Sequence, residues 1–367
     1  MHSWLKKLFG MNWVLLLLTF GLLAFGIYAI YSATWMREES FWTSQIVWAA
    51  IATPVFLAVA LTDYRWIRFG AWPLYALGVM ALVTVMLIGE KRYGARSWLD
   101  LGVMSFQPSQ LAIIAGIMTL AVFLELTKHW PDVARIALAG VITAIPWVLI
   151  LIEPDLGSCI VWVPVLLAML FLGGVGKRWL VAMILLGVAL IPLVVYFGLR
   201  EYQFRRITTF LNPNLDPQGD GWNINQSLLA IGSGGFSGKG FKAPNTLNEL
   251  GFLPKTIVHN DFIFSVLGEQ HGFIGGVALL AALLLLMLTG LYIAMNARDD
   301  LGRLVACGIV MLLFTHTFMN IGMTISVTPI TGLPLPLISY GGSFLLITMI
   351  SLGLLQSIWI HRKPKAG

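Results

Sequence analysis

The sequence predicts an all-α, polytopic membrane protein of about ten transmembrane helices, with one large extracytoplasmic loop between helices 7 and 8. Three observations predict it. Of the 367 residues, 58% are hydrophobic and 11% charged, whereas soluble domains carry about 25% charge. Apolar stretches long enough to span a bilayer recur along the whole chain. Lysine and arginine crowd into alternate connections between those stretches. The composition excludes a soluble globular enzyme, a disordered chain and a coiled coil. Residues 1–367 read as one membrane domain.

A spanning helix needs roughly 20 mostly apolar residues. On that rule the spans fall near 11–33, 43–62, 70–89, 108–127, 135–152, 156–174, 179–198, 261–296, 304–326 and 337–360. The first follows Lys6 and Lys7 and shows no small-residue cleavage site, so it is expected to be an uncleaved anchor. The eighth is too long for one simple span and is expected to hold an interfacial part before the apolar run that begins at Gly272. With the N-terminus inside, the inner segments hold 13 of the 23 Lys and Arg residues and the short outer loops 4. An even number of spans then returns Arg362, Lys363 and Lys365 to the inside. Both termini are thus expected to be cytoplasmic. The remaining 6 basic residues lie in the loop at about 199–260, which is far longer than ordinary connections and is expected to fold against the membrane domain. A net charge of +6 is explained by this topology bias, not by nucleic acid. The two cysteines, Cys159 and Cys307, sit in apolar stretches and make neither a disulfide framework nor a metal cluster.

Polar groups at membrane depth are costly and usually functional. Asp155 opens the sixth span, where the helix-cap reading is favoured slightly over a functional one. Asp261 and Glu269, eight residues apart, fall near one helix face about two turns apart. On the residues alone, cap and catalyst weigh equally at Asp261. His316 and Asn320, one turn apart, read better as an interhelical hydrogen-bonding face than as metal ligands. Glu125 is expected to snorkel at the inner end of the fourth span. The run from Ile231 to Gly240 is amide-rich and carries Lys239, so it reads either as a phosphate cradle or as plain turns; it lacks the ending of a P-loop. Arg205 and Arg206 suit a phosphate or a lipid headgroup. Between Gly332 and Ser343, two prolines and a patch of small residues break the helix at membrane depth, which is tolerated only where the backbone is buried or lines a cavity.

Several of these segments, in order, resemble the SEDS family of bacterial cell-wall polymerases over nearly the whole chain. They are Gly94 to Gly102, Phe106-Gln107-Pro108-Ser109, Glu153 to Ser158, Asn225-Gln226-Ser227 through Gly240, Phe252-Leu253-Pro254, His259 to Phe264 and Pro334 to Ser343. The Pro-Leu-Pro-Leu run before Ser-Tyr-Gly-Gly-Ser and the short termini look like the elongation branch and less like the division branch. The resemblance implies a peptidoglycan glycosyltransferase of the bacterial cytoplasmic (inner) membrane that polymerises lipid II during cell elongation and shape maintenance. The linkage changes from alpha to beta, so one inverting displacement is expected. Asp261 matches the family's essential aspartate and is the expected base. Arg206 and Lys239 match basic positions suited to the pyrophosphate, and Trp98, Asp155, Gln226 and Ser339 are further expected substrate contacts. A divalent cation, Mg or Mn, is implied with no evident ligand set, and no organic cofactor. The implied partners are a class B penicillin-binding protein (a transpeptidase), the elongation machinery, lipid II and membrane lipids, with no nucleic acid. One departure concerns the fourth span, where the family usually carries a Glu and, three residues on, a Lys; Gln110 and Ile113 stand there. Both charges are lost together, which keeps the local balance and leaves the chemistry to Asp261. Two other readings follow, a lipid II flippase and a catalytically impaired scaffold. A flippase needs a polar path through the whole bilayer, whereas the candidate residues here cluster on the outer side.

Overall fold

The structure is a computed structural model that describes residues 7–36, 40–92, 95–100, 105–198 and 201–362. Among these, nine helices are long and apolar enough to cross a membrane, and a tenth, shorter apolar helix lies between the fifth and sixth of them. In chain order the first six helices are α1 (Trp13–Thr34), α2 (Phe41–Leu61), α3 (Ile67–Ile88), α4 (Pro108–Leu126), α5 (Asp132–Ile152) and α6 (Leu156–Leu172). Then follow α7 (Lys177–Leu193), α8 (Glu201–Leu211), α9 (Asp220–Ser233), α10 (Ile263–Met295), α11 (Asp300–Thr324) and α12 (Gly342–Ile360). A small antiparallel sheet, β1 (Glu90–Arg92), β2 (Ala95–Asp100) and β3 (Ser105–Phe106), interrupts the all-helical pattern between α3 and α4. Its registers pair Glu90 with Trp98 and Leu99 with Phe106. The expectation of an all-α chain holds for the membrane domain, and the sheet is confined to this one connection.

Helices that are apolar all round belong either inside the bundle or against lipid. Here α4, α11 and α12 are buried on nearly every side and form the centre. By contrast α7 has Leu180 as its one buried residue and exposes Val181, Ile184, Leu185, Val188 and Ile191. The centre is therefore packed protein, and α7 is a peripheral helix turned to lipid.

The face that carries the chain ends is tied by charge. Arg68 of α3 donates to Glu125 at 2.6 Å and to Asp299 at 2.9 Å, and Tyr64 donates to Asp299 at 2.7 Å. Glu125, expected to snorkel, is instead held in this ion pair, because α3 brings a guanidinium alongside it. The buried Arg135 guanidinium donates to the Gly173 carbonyl at 2.6 Å, which satisfies an orphan acceptor at the end of α6.

The opposite face carries the long loop, which contains α8 and α9. As expected, the eighth stretch has two parts. Gly272 breaks α10 with a φ of 62° and a ψ of −160°. The break frees the Glu269 and Gln270 carbonyls, which accept from Lys239 N at 3.0 Å and Gly240 N at 2.9 Å. It also frees Phe273 N and Ile274 N, which donate to Gly235 O at 2.9 Å and Phe236 O at 3.1 Å. The glycine-rich run thus completes a broken helix. A Cβ at Gly272 would run into the Gly238 nitrogen, so the fit needs glycine.

Glu269 sits at the centre of this junction and is fully buried. Lys239 Nζ and Leu247 N each donate to its Oε1 at 2.7 Å. Ser32 donates to Gln270 beside it. Farther along the loop, Lys242 donates to Tyr31 at 2.7 Å and lies 4.8 Å from the Trp35 ring centroid, which clasps the loop to α1.

Candidate active site

Asp261 lies in the turn just before α10, not on the helix. The residue at the cap position is Phe262, with no side-chain cap bond. The cap reading is therefore set aside, and so is the shared helix face with Glu269. Asp261 is half-buried, and among the described residues its carboxylate accepts no hydrogen bond. Burial pushes its carboxyl up to about 6, against the opposing pull of Arg206.

What holds this residue is its main chain. Tyr340 N donates to His259 O at 3.0 Å, Ser339 Oγ to Asn260 O at 2.5 Å, and Asn320 Nδ2 to Asp261 O at 3.1 Å. Three consecutive carbonyls are tied to α11 and to the segment before α12. That segment, residues 325–341, is not helical although it lies within the bundle. Its polar backbone is met from several sides: Ser339 Oγ accepts from Leu335 N at 2.8 Å, Gln45 Oε1 from Gly341 N at 3.3 Å, and Leu333 O accepts from Asn320 at 2.8 Å. This is the condition under which broken backbone survives inside a membrane domain. Gly332, at φ 72°, turns the segment beside Asp261, where an added Cβ would stand 3.7 Å from Oδ2.

An apolar cavity of about 230 Å³ opens next to this turn. Leu156 and Ile160 of α6, Gly187 and Ile191 of α7, and Ile330 line it, and Gln203, Arg206 and Thr331 supply its polar side chains. Arg206 lies 3.8 Å from Asp220, so one basic group of the expected pair stands between an acidic helix start and the cavity.

The other expected contacts are distributed differently. Lys239 is bonded to Glu269 and retains two further donors. Asp155 caps α6, with Oδ1 accepting from Ser158 N at 3.0 Å, and it also takes Gln107 Nε2 at 3.0 Å. Ser339 is buried, and its hydroxyl is committed to two backbone groups. Gln226 is buried on the inner face of α9, beside Ser227, which donates to Thr324 O at 2.6 Å. Trp98 is half-buried on β2. Gln110 and Ile113 are buried in the first turns of α4. Glu153 is buried, neither of its carboxylate oxygens is hydrogen-bonded among the described residues, and burial, then Asp155, pushes it up to about 8. Among the described residues no three His, Cys, Asp or Glu side chains stand at metal-binding spacing.

A half-buried carboxylate beside an apolar cavity, in a bundle of helices long and apolar enough to cross a membrane, defines the class: multi-pass membrane proteins. The assignment narrows further. The model of the FtsW/RodA/SpoVE family, described as cell cycle protein, matches residues 9–364, and the chain belongs to that family, as the SEDS resemblance implied. It is 38% identical over 349 residues to the peptidoglycan glycosyltransferase MrdB of Escherichia coli (strain K12), covering 95% of this chain and 93% of the relative. It is 33% identical over 423 residues to the peptidoglycan glycosyltransferase RodA of Treponema pallidum (strain Nichols), covering 95% and 97%. Among solved structures, a chain of a peptidoglycan synthase complex that coordinates polymerization and crosslinking superposes with a TM-score of 0.82 at 29% identity, covering 97% of this chain and 99% of that one. The rod shape determining protein RodA of Thermus thermophilus superposes with a TM-score of 0.71 at 28% identity, covering 97% and 98%.

Proposed function

We propose that the chain is a peptidoglycan glycosyltransferase that polymerises lipid II for cell elongation, with Asp261 as its base. The observation that carries the assignment of the base is the carboxylate itself: firmly held through its backbone, without a hydrogen bond among the described residues and next to the apolar cavity. Family membership supports the reaction. In the step, the acceptor 4-hydroxyl gives its proton to Asp261 as its oxygen attacks the anomeric carbon of the donor. The bond from that carbon to the pyrophosphate oxygen breaks, the electron pair leaves with the pyrophosphate, and the configuration inverts. Arg206 offsets the negative charge that builds on the leaving group, and the free donors of Lys239 can add to it. The polyprenyl tail has an apolar path between α6 and α7.

The 13-to-4 excess of Lys and Arg supports cytoplasmic termini and an outer active site in a bacterial membrane. The synthase complex supports a class B penicillin-binding protein as partner. Labelled lipid II supplied to the purified protein with that partner tests the function. A ladder of strands that a muramidase collapses is expected. Lipid II crossing sealed vesicles with no ladder would instead favour a flippase.

A further inference from the structure

Among the described residues the Asp261 carboxylate accepts no hydrogen bond to aim it, so its position is inherited from its main chain. Asn320, fully buried on α11, provides the link across to a transmembrane helix. Its single amide nitrogen donates to Asp261 O at 3.1 Å and to Leu333 O at 2.8 Å. Leu333 follows Gly332, the residue packed against the carboxylate, and Thr331, which lines the cavity. One side chain therefore ties the turn bearing the carboxylate to the segment that forms its wall. Both amide hydrogens are spent on this bridge, while Oδ1 is buried without a partner. An unsatisfied buried acceptor is costly. The amide is therefore kept for its two donors, which hold the Asp261 and Leu333 carbonyls together.

We propose that Asn320 is a positioning residue for the glycosyl transfer, acting through Asp261 by fixing the carboxylate against the cavity wall. This rests on the reading of Asp261 as the base. Displacing a reacting group by about 1 Å costs on the order of 100-fold in rate. Losing the bridge therefore slows turnover, while the lipid-binding cavity, built from other residues, is left intact.

The test uses the full-length protein with its penicillin-binding partner and labelled lipid II, comparing wild type with Asn320→Ala, Asn320→Leu and Asn320→Gln. Leu keeps the volume without donors, and Gln keeps the amide. For Ala and Leu, kcat is expected to fall about 100-fold with KM within about twofold, and Gln to recover part of the loss. Asp261→Asn is run alongside as the control on the base. Unchanged kcat in folded Ala or Leu variants overturns the proposal, as does a rise in KM alone or a Gln variant no faster than Leu. Full activity of Asp261→Asn would instead overturn the base assignment, which keeps the two failures distinct.

Discussion

At the scale of the residue, the proposed chemistry turns on one carboxylate that is half-buried and, among the described residues, accepts no hydrogen bond. Burial raises the Asp261 carboxyl to about 6, so the ionised, proton-accepting form is present above that pH and lost below it. The value of kcat/KM is expected to fall as pH drops through about 6, in a pH series of initial rates. Arg206 pulls the other way. Arg206→Met should therefore move the acidic limb to higher pH as well as slow the reaction, and an unmoved limb would remove Arg206 from the carboxylate's surroundings. Asp261 could be picked out in the sequence because a carboxylate beside a membrane span is rare and its flanking motif is distinctive. Its lack of bonds could not be read there. Cap and base differ only in which atoms the carboxylate meets, and here those belong to distant parts of the chain, Gly332 and Arg206. The same holds for Ser339, which the sequence offers as a substrate contact and the fold uses to hold Asn260 O.

At the scale of the element, the break at Gly272 explains the glycine-rich run. A sequence shows glycines but not their partners, so the run's service to the orphan groups of α10 could not be read from it. The composition at 231–240 answers a break some 30 residues away in the chain, and local periodicity carries no trace of it. Glu269 is the anchor of this junction, and removing its cation leaves a buried charge uncompensated. Lys239→Met is expected to destabilise the protein by about 3 kcal/mol or more, seen as a lower midpoint in thermal unfolding in detergent. Restoration by the further change Glu269→Gln would show that the penalty lies in the unpaired carboxylate. The small sheet at 90–106 was also hidden, since its strands are too short for alternation to stand out.

At the scale of the whole molecule, ten apolar helices were legible because the bilayer imposes length and composition on each of them. Which helices sit inside was not, because α4 and α7 are both apolar throughout and differ only in their neighbours. The peripheral α7 gives the cavity one wall. Its Gly187 lines that cavity and has open space where a Cβ would be. Gly187→Trp should therefore fold normally, occupy the lipid path and raise KM for lipid II about tenfold, equivalent to about 1.4 kcal/mol. An unchanged KM would place the polyprenyl chain elsewhere. The charge asymmetry leads to a separate expectation: a reporter fused after Arg362 should be active only when it is a cytoplasmic one.

The most direct measurement compares glycan-strand formation by wild type and Asp261→Asn, each purified with its penicillin-binding partner and supplied with labelled lipid II. The expected result is a strand ladder from wild type and none from the variant, while the variant complex still assembles and unfolds at the same temperature. A ladder of equal length and rate from the variant would contradict the role of Asp261 as the base.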